Sequence, residues 1–332
     1  MSETYKALQT REEDGRYLTE VVELERLPLE PGQVRLQVHY SSLNYKDAMS
    51  ACGNRGITRQ YPHVLGIDAA GEVLESNCAD MPVGQKAVVT GYDLGMNSDG
   101  GLAQELCCPG QWLVPLPENM DCRSAMALGT AGLTAGLCVS RIIAVIGDLK
   151  GKSILVSGSS GGVGSLAVVL LNHLGAEVTA VTGKKSQFDW LKSLGATHVM
   201  ARAERRQLDT RPISKAIYHG AVDTVGGETL ANILKVIHPG GAVACCGMAG
   251  GTQFESSIFP FILRGISLLG VDSVEIPLAD KAAVWQHFAD EWALPEAALA
   301  SIVTDISLTE GAAILGDFLK SSVVGRYRVN VG

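Results

Sequence analysis

Five residues, Ser153–Ser157 (SILVS), run without interruption into Gly158-Ser159-Ser160-Gly161-Gly162-Val163-Gly164, and apolar residues at helical spacing follow over 163–174. A buried-strand run, a glycine-rich turn and a helix start, in that order, are the context that dinucleotide recognition requires. Glycine lets the backbone turn sharply and approach a pyrophosphate, whose charge is met by the N–H groups and dipole at the helix start. The spacing is GxxGGVG rather than GxGxxG. A purely structural turn would need the glycines but not the strand before them and the helix after.

The same alternation continues downstream. Strand-like runs at Glu177–Val181, Thr197–Met200, Gly220–Val225 and Ala242–Cys246 are separated by helix-length stretches at Ser186–Leu194 and Glu228–Val236. Such alternation implies right-handed crossovers and a parallel sheet covered on both faces, an α/β doubly wound architecture. The first 120 or so residues read differently. Val34–Tyr40, Gly71–Leu74, Lys86–Thr90 and Leu102–Cys107 are short strand candidates between glycine-containing breaks, which suggests a turn-rich antiparallel domain. Asp121 is a plausible N-cap for a helix over 121–143. From about Ala279 the tail holds two helical stretches and a last alternating strand, Val323–Val331, which matches the first region better than the second. A length of 332 residues accommodates two domains at about 150 residues each.

The second strand of the α/β part selects the dinucleotide. An NAD site places an acid about 20 residues after the glycine turn for the ribose 2′-hydroxyl. Here that strand runs into Thr182-Gly183-Lys184-Lys185, with no carboxylate to repel a 2′-phosphate. Lys184 offers charge, Thr182 a hydroxyl, Gly183 an amide, and Arg202 a guanidinium fork, so NADP is expected. Lysine lacks that planar fork, which weakens 2′-phosphate selectivity.

A net charge of −8, from 27 basic and 35 acidic residues, disfavours nucleic acid or an anionic membrane as the main partner. The eight cysteines, two adjacent pairs and four single residues, have no CxxC spacing for zinc, so no metal is expected and small buried hydrophobes are the simplest reading of them. The start MSETYKALQT lacks the charged-then-apolar order of a signal peptide, and Ala125–Ser140 is short for a membrane span. A cytoplasmic protein with reduced thiols is expected.

Several motifs now combine: SSLNYKD (41–47), PHVLGIDAAGEV (62–73), GTAGLTA (129–135), PFILR (260–264) and GVDSV (270–274). With the glycine turn they resemble the medium-chain dehydrogenase/reductase superfamily, in particular its zinc-free quinone oxidoreductase branch and the bacterial acrylyl-CoA reductase family. The resemblance implies a GroES-like catalytic domain (1–126 and 273–332) and a Rossmann NADP-binding domain (127–272). It also implies NADPH-dependent hydride transfer to the C=C bond of a small α,β-unsaturated carbonyl, such as acrylyl-CoA. A broad quinone or enone reductase and a non-catalytic NADPH sensor remain alternatives. Zinc alcohol dehydrogenases of that superfamily carry Gly-His-Glu where this chain has Gly66-Ile67-Asp68.

By the same matching, Tyr45 and Asn44 are the catalytic candidates, with loop capping and packing as their structural alternatives. Cofactor contacts fall on Tyr45, Thr130, Ser160, Gly161, Gly162, Val163, Thr182, Gly183, Lys184, Arg202, Gly247, Met248, Ile262, Ser273 and Arg326. Asp68 is expected in a structural hydrogen-bonding role. The implied assembly is a homodimer paired through an edge strand of the nucleotide domain, with an enoyl-CoA or quinone as small-molecule partner. The stretch CGNRG (52–56) departs from a lysine-rich stretch of the family.

Overall fold

A computed structural model describes residues 4–206 and 211–332. The chain divides into two compact units, one of Met1–Thr130, Ser273–Glu291 and Leu299–Gly332, the other of Ala131–Asp272 and Trp292–Ala298.

The second unit is a six-stranded parallel sheet. Its strands stand in the order His198–Ala201, Glu177–Thr182, Ser153–Ser157, Tyr218–Asp223, Ile237–Cys245, Ser267–Gly270. Numbered within the unit this is 3-2-1-4-5-6, so strand order reverses between Ser153–Ser157 and Tyr218–Asp223, where ligands of open α/β sheets bind. Ile154, Leu155 and Val156 are wholly buried on consecutive positions, as a strand covered on both faces must be. The helix expected over 186–194 is instead a 3₁₀ turn, Lys185–Gln187, followed by a short helix, Phe188–Ser193.

The first unit is β-rich. An N-terminal hairpin, Thr4–Glu13 with Arg16–Glu25, closes on Asp14-Gly15, both at positive φ (50° and 76°), the twist a two-residue hairpin prefers. A larger sheet runs Val303–Ser307, Arg326–Asn330, Gln33–Ser42, Asp68–Ser76, Lys86–Thr90, Leu113–Pro115, with Glu105–Pro109 also on Gln33–Ser42. The C-terminal strand is thus antiparallel to Gln33–Ser42 and parallel to Val303–Ser307. The core around Leu8, Leu36, Leu65, Val89, Leu102 and Leu113 is almost fully buried, each side chain contributing about 1.5–3 kcal/mol of burial.

Three tail features differ from expectation. Helices occupy Leu278–Ala289, Glu296–Ile302 and Leu308–Leu319, not two stretches, and the strand Val303–Ser307 lies between the last two. Ser307 explains the division, since its hydroxyl accepts from Glu310 N while the Glu310 carboxylate accepts from Ser307 N, a capping box. The last strand is shorter, Arg326–Asn330. In the first region, Leu102 belongs to a different ladder from Glu105–Pro109, bonding Leu65 and Leu8.

Asp121 caps its helix as expected, its carboxylate accepting from Ser124 N at 2.7 Å. The helical run Cys122–Ile146 is longer than expected from sequence. By length and composition it is long and apolar enough to cross a membrane, yet 61% of its apolar window is buried inside the protein, as in a core helix. It is broken at Gly129 (φ 51°, ψ −155°). A Cβ there would stand 2.6 Å from Ser42 Oγ and 2.7 Å from Asp68 Oδ2. Gly129→Ala therefore combines backbone strain with overpacking and should lower the unfolding free energy by about 2–5 kcal/mol in urea titrations. A loss under about 0.5 kcal/mol, the range of an ordinary surface substitution, would contradict the packing described.

Candidate active site

In the nucleotide unit the glycine turn is shaped by close approach. A Cβ on Gly158 (φ 59°) would overlap Thr224 Oγ1, and one on Gly164 would fall 2.7 Å from Ser159 Cα. The helix that follows, Gly162–His173, has Gly161 as its N-cap and no side-chain cap. Its first-turn N–H groups are left for an anionic ligand.

Around this turn the structure gathers Ser160, Thr182, Gly183, Lys184 and Arg202. Ser160 Oγ and Thr182 Oγ1 share a 2.8 Å hydrogen bond, and Lys184 N donates to Thr182 Oγ1 at 3.1 Å. Ser159 Oγ fixes the turn against the second strand by donating to Val181 O at 3.0 Å. The Arg202 guanidinium lies against Gly183, where a Cβ would be 3.2 Å from Nη2. Lys184 is half-buried, and desolvation draws its ammonium below the usual lysine range. Gly247 packs on Thr224 so closely that a Cβ would overlap the Thr224 carbonyl. Met248 and Ile262 are exposed, at 70% and 66%, one in the turn after Ile237–Cys245 and the other on the helix Phe259–Arg264.

Sequence reasoning missed Asp223 here. This wholly buried carboxylate accepts from Ser157 Oγ at 2.5 Å and Gly226 N at 2.8 Å, tying two strand ends to the Gly226-Gly227 turn. Burial pushes its carboxyl up, opposed by those donors. An acid closing an apolar strand and followed by TVGG was the available signal.

The β-rich unit holds the other candidates. Asn44 precedes the short helix Tyr45–Ala51, and Asp47 reaches back to accept from Asn44 N at 2.7 Å. The Asn44 side chain is fully engaged: Nδ2 donates to Asp68 Oδ2 (3.0 Å) and Ser42 O (3.2 Å), and Oδ1 accepts from Arg326 Nη1 (3.1 Å). Asp68 also accepts from Ser42 N (3.0 Å), Ser42 Oγ and Thr130 N (2.8 Å). Arg326 is buried in this cluster, its Nη2 donating to Ser42 Oγ at 2.6 Å and its Nε without a hydrogen-bond partner among the described residues. Tyr45, by contrast, is 53% exposed at the first helical position. Ser273 is half-buried, with its carbonyl 3.0 Å from where a Gly91 Cβ would stand. Of the candidates in this unit, Asn44, Thr130 and Arg326 therefore share one network around Asp68.

That network leaves Asp68 no capacity to serve a metal, and among the described residues no group of three or more His, Cys, Asp or Glu could hold one. The cysteines depart from the buried-hydrophobe expectation. Cys108, Cys122 and Cys138 are buried, Cys52 is exposed, and the rest are half-buried.

Asp47 is wholly buried, and desolvation, with Asp68 adding to it, pushes its carboxyl up to about 7 against the N–H groups of Asn44, Ile67 and Gly66. An acid that binds its proton more tightly in the fold than in the unfolded chain stabilises at low pH, and that contribution fades as pH rises through 7. Wild-type unfolding free energy should therefore fall relative to Asp47→Asn as pH rises from about 4 to about 7, and the two should run parallel above that. Profiles that stay parallel over the whole of that range would show that folding does not raise the Asp47 carboxyl.

The chain matches the zinc-binding dehydrogenase family over residues 162–290 and the alcohol dehydrogenase GroES-like domain over 30–118. It is 42% identical to acrylyl-CoA reductase AcuI of Ruegeria pomeroyi over 321 residues, 96% of each chain. It resembles the crystal structure of E. coli K-12 YhdH with bound NADPH (41% identity, TM-score 0.92, covering 98% of this chain and 100% of that one). It likewise resembles Bacillus subtilis YhfP with NAD bound (40%, TM-score 0.95, covering 99% and 100%). Among the described residues the zinc in the first family's name finds no fitting donor set, since Ile67 offers no ligand atom and Asp68 is taken up by Ser42, Asn44 and Thr130. By sequence and by fold, the chain belongs to the medium-chain dehydrogenase/reductase superfamily of oxidoreductases, in the group that holds the acrylyl-CoA reductases.

Proposed function

We propose that the protein is an NADPH-dependent, zinc-independent reductase of the C=C bond in short α,β-unsaturated carbonyl compounds, with acrylyl-CoA to propionyl-CoA as the reaction its relatives suggest. The observation that carries this reading is the basic, acid-free corner at the end of the second strand. There Thr182, Gly183, Lys184 and Arg202 converge beside the uncapped helix start at Gly161.

These residues fit NADPH. Ser160, Gly161, Gly162 and Val163 would hold the pyrophosphate through the turn's N–H groups, and Thr182, Lys184 and Arg202 the 2′-phosphate. Gly247, Met248 and Ile262 from this unit, and Tyr45, Thr130, Ser273 and Arg326 from the other, complete the proposed contacts. When bound, the cofactor supplies hydride for the β-carbon of the substrate. The chain's own part is to orient that carbon and stabilise the developing enolate with hydrogen-bond donors. The exposed Tyr45 phenol would be such a donor, or the acid for the α-carbon. Asn44, fixed by Asp68 and Arg326, holds the helix start that presents it. In the same reading residues 127–272 hold the cofactor, 1–126 and 273–332 supply the substrate chemistry, and the enzyme is a cytoplasmic homodimer paired through an edge strand of the nucleotide unit.

NADPH consumption followed at 340 nm with acrylyl-CoA, crotonyl-CoA and a quinone series is the test. Enoyl-CoA turnover that survives a chelator is the expected result, whereas turnover of quinones alone would move the substrate to that class. NADPH should bind more tightly than NADH, and Lys184→Ala with Arg202→Ala should erase most of the difference, at about 1.5–3 kcal/mol per charged contact. Equal wild-type affinities would refute the phosphate corner. Tyr45→Phe should lower turnover by about 10²-fold or more with cofactor binding intact. Unchanged turnover would assign Tyr45 to packing.

A further inference from the structure

In the nucleotide unit, the strand Glu177–Thr182, which runs into Gly183 and Lys184, lies on one side of Ser153–Ser157, and Tyr218–Asp223 and Ile237–Cys245 lie on the other. A dinucleotide with its 2′-phosphate at the first side and its pyrophosphate over the glycine turn extends its nicotinamide half over the ends of Tyr218–Asp223 and Ile237–Cys245. Two turns leave those ends, 224–227 and 246–251, and they are pressed together main chain on main chain. Gly250 N donates to Val225 O at 2.7 Å, and Cys246 N to Asp223 O at 2.9 Å. A Cβ on Gly226 (φ 71°) would stand 2.8 Å from Gly247 O, and one on Gly227 2.6 Å from Gly250 O. Where one turn lies is therefore set by the other.

The pair is fixed to the sheet by the Asp223 carboxylate, which has no exposure. Its Oδ1 accepts from Ser157 Oγ at 2.5 Å and from Val225 N at 3.4 Å. Its Oδ2 accepts from Gly226 N at 2.8 Å and from Cys245 Sγ at 3.8 Å. These donors belong to the last residue of Ser153–Ser157, the turn after Tyr218–Asp223 and the last residue of Ile237–Cys245. Ser157 Oγ also accepts from Thr224 N at 3.0 Å, directly before Gly158. A carboxylate that served its own turn alone would need only the Val225 and Gly226 N–H groups. The arms to Ser157 and Cys245 instead register both turns against the glycine turn.

We propose that Asp223 is a positioning residue for the nicotinamide half of the dinucleotide, acting through the main chain of the 224–227 and 246–251 turns. This rests on the cofactor reading above, in which Gly247 and Met248 meet the dinucleotide and Thr182, Lys184 and Arg202 hold its 2′-phosphate. Asparagine keeps the volume of Asp223 but has one acceptor oxygen in place of two. If that oxygen stays on Ser157 Oγ, the NH2 group faces Gly226 N–H, donor against donor, and the turns lose their anchor. The corner at the end of Glu177–Thr182 shares none of these bonds.

The experiment titrates the full-length protein by calorimetry with NADPH and with adenosine 2′,5′-bisphosphate, which carries the 2′-phosphate and one 5′-phosphate but no nicotinamide. For Asp223→Asn the expected result is NADPH binding about tenfold weaker or more, as for loss of one hydrogen bond to a charged group, with adenosine 2′,5′-bisphosphate within about twofold of wild type. Ser157→Ala, which removes one arm and keeps that to Gly226, should show the same split at about threefold or more. A carboxylate that supports only the fold would weaken both ligands equally, and that result would overturn the proposal. Unchanged NADPH affinity in both variants, or failure of both to fold, would overturn it too. A wild type that binds neither ligand is recognised as failure of the cofactor reading instead, and the proposal falls with it.

Discussion

The β-rich unit depends on how one buried carboxylate is satisfied. Asp68 has no exposure, and a carboxyl group there is tolerable only because Ser42, Asn44 and Thr130 aim N–H and O–H groups at it, with the Arg326 guanidinium one residue further out. Those partners come from the end of Gln33–Ser42, the start of the Tyr45 helix, the kink after Gly129 and the C-terminal strand. Satisfying Asp68 therefore fixes where the first helix begins, why the long helix breaks, and which strand Arg326 must lie on. Tyr45 is presented to solvent at the end of that chain of constraints. Asp47, a second buried acid beside the first, adds to the electrostatic load and fastens the same helix start.

In the nucleotide unit the organising constraint is steric. Gly158, Gly164 and Gly247 each lie where a Cβ would collide with neighbouring backbone or with Thr224. Asp223 and Ser157 then lock the two strand ends at which the sheet order reverses. The result is a glycine turn with an open helix start and a basic corner beside it.

Much of this was legible in the residues. SILVS and the glycine run fixed the first strand and helix almost to the residue, because strand, turn and helix each carry an independent signal there. Most of the basic corner was readable from TGKK, since Thr182, Gly183 and Lys184 are contiguous along the chain, whereas Arg202 joins them from the end of the next strand. The Asp68 network was not readable beyond a structural role for Asp68. Its members, from Ser42 to Arg326, lie far apart in sequence and meet only through strand register. Arg326 was expected on the cofactor, and burial in this network is a tertiary fact with no local signature. The strand Val303–Ser307 escaped notice because five residues between two helical patterns carry little period of their own.

In the proposed function this scaffold directs hydride to carbon, next to a donor that protonates an enolate. Reduction of acrylyl-CoA with NADPH deuterated at the transferring position of the nicotinamide tests it directly. The expected product is propionyl-CoA carrying the deuterium on its β-carbon and a solvent-derived hydrogen on its α-carbon, by mass spectrometry and NMR. Deuterium lost to solvent, or found on the carbon of an alcohol formed from the carbonyl, would contradict it.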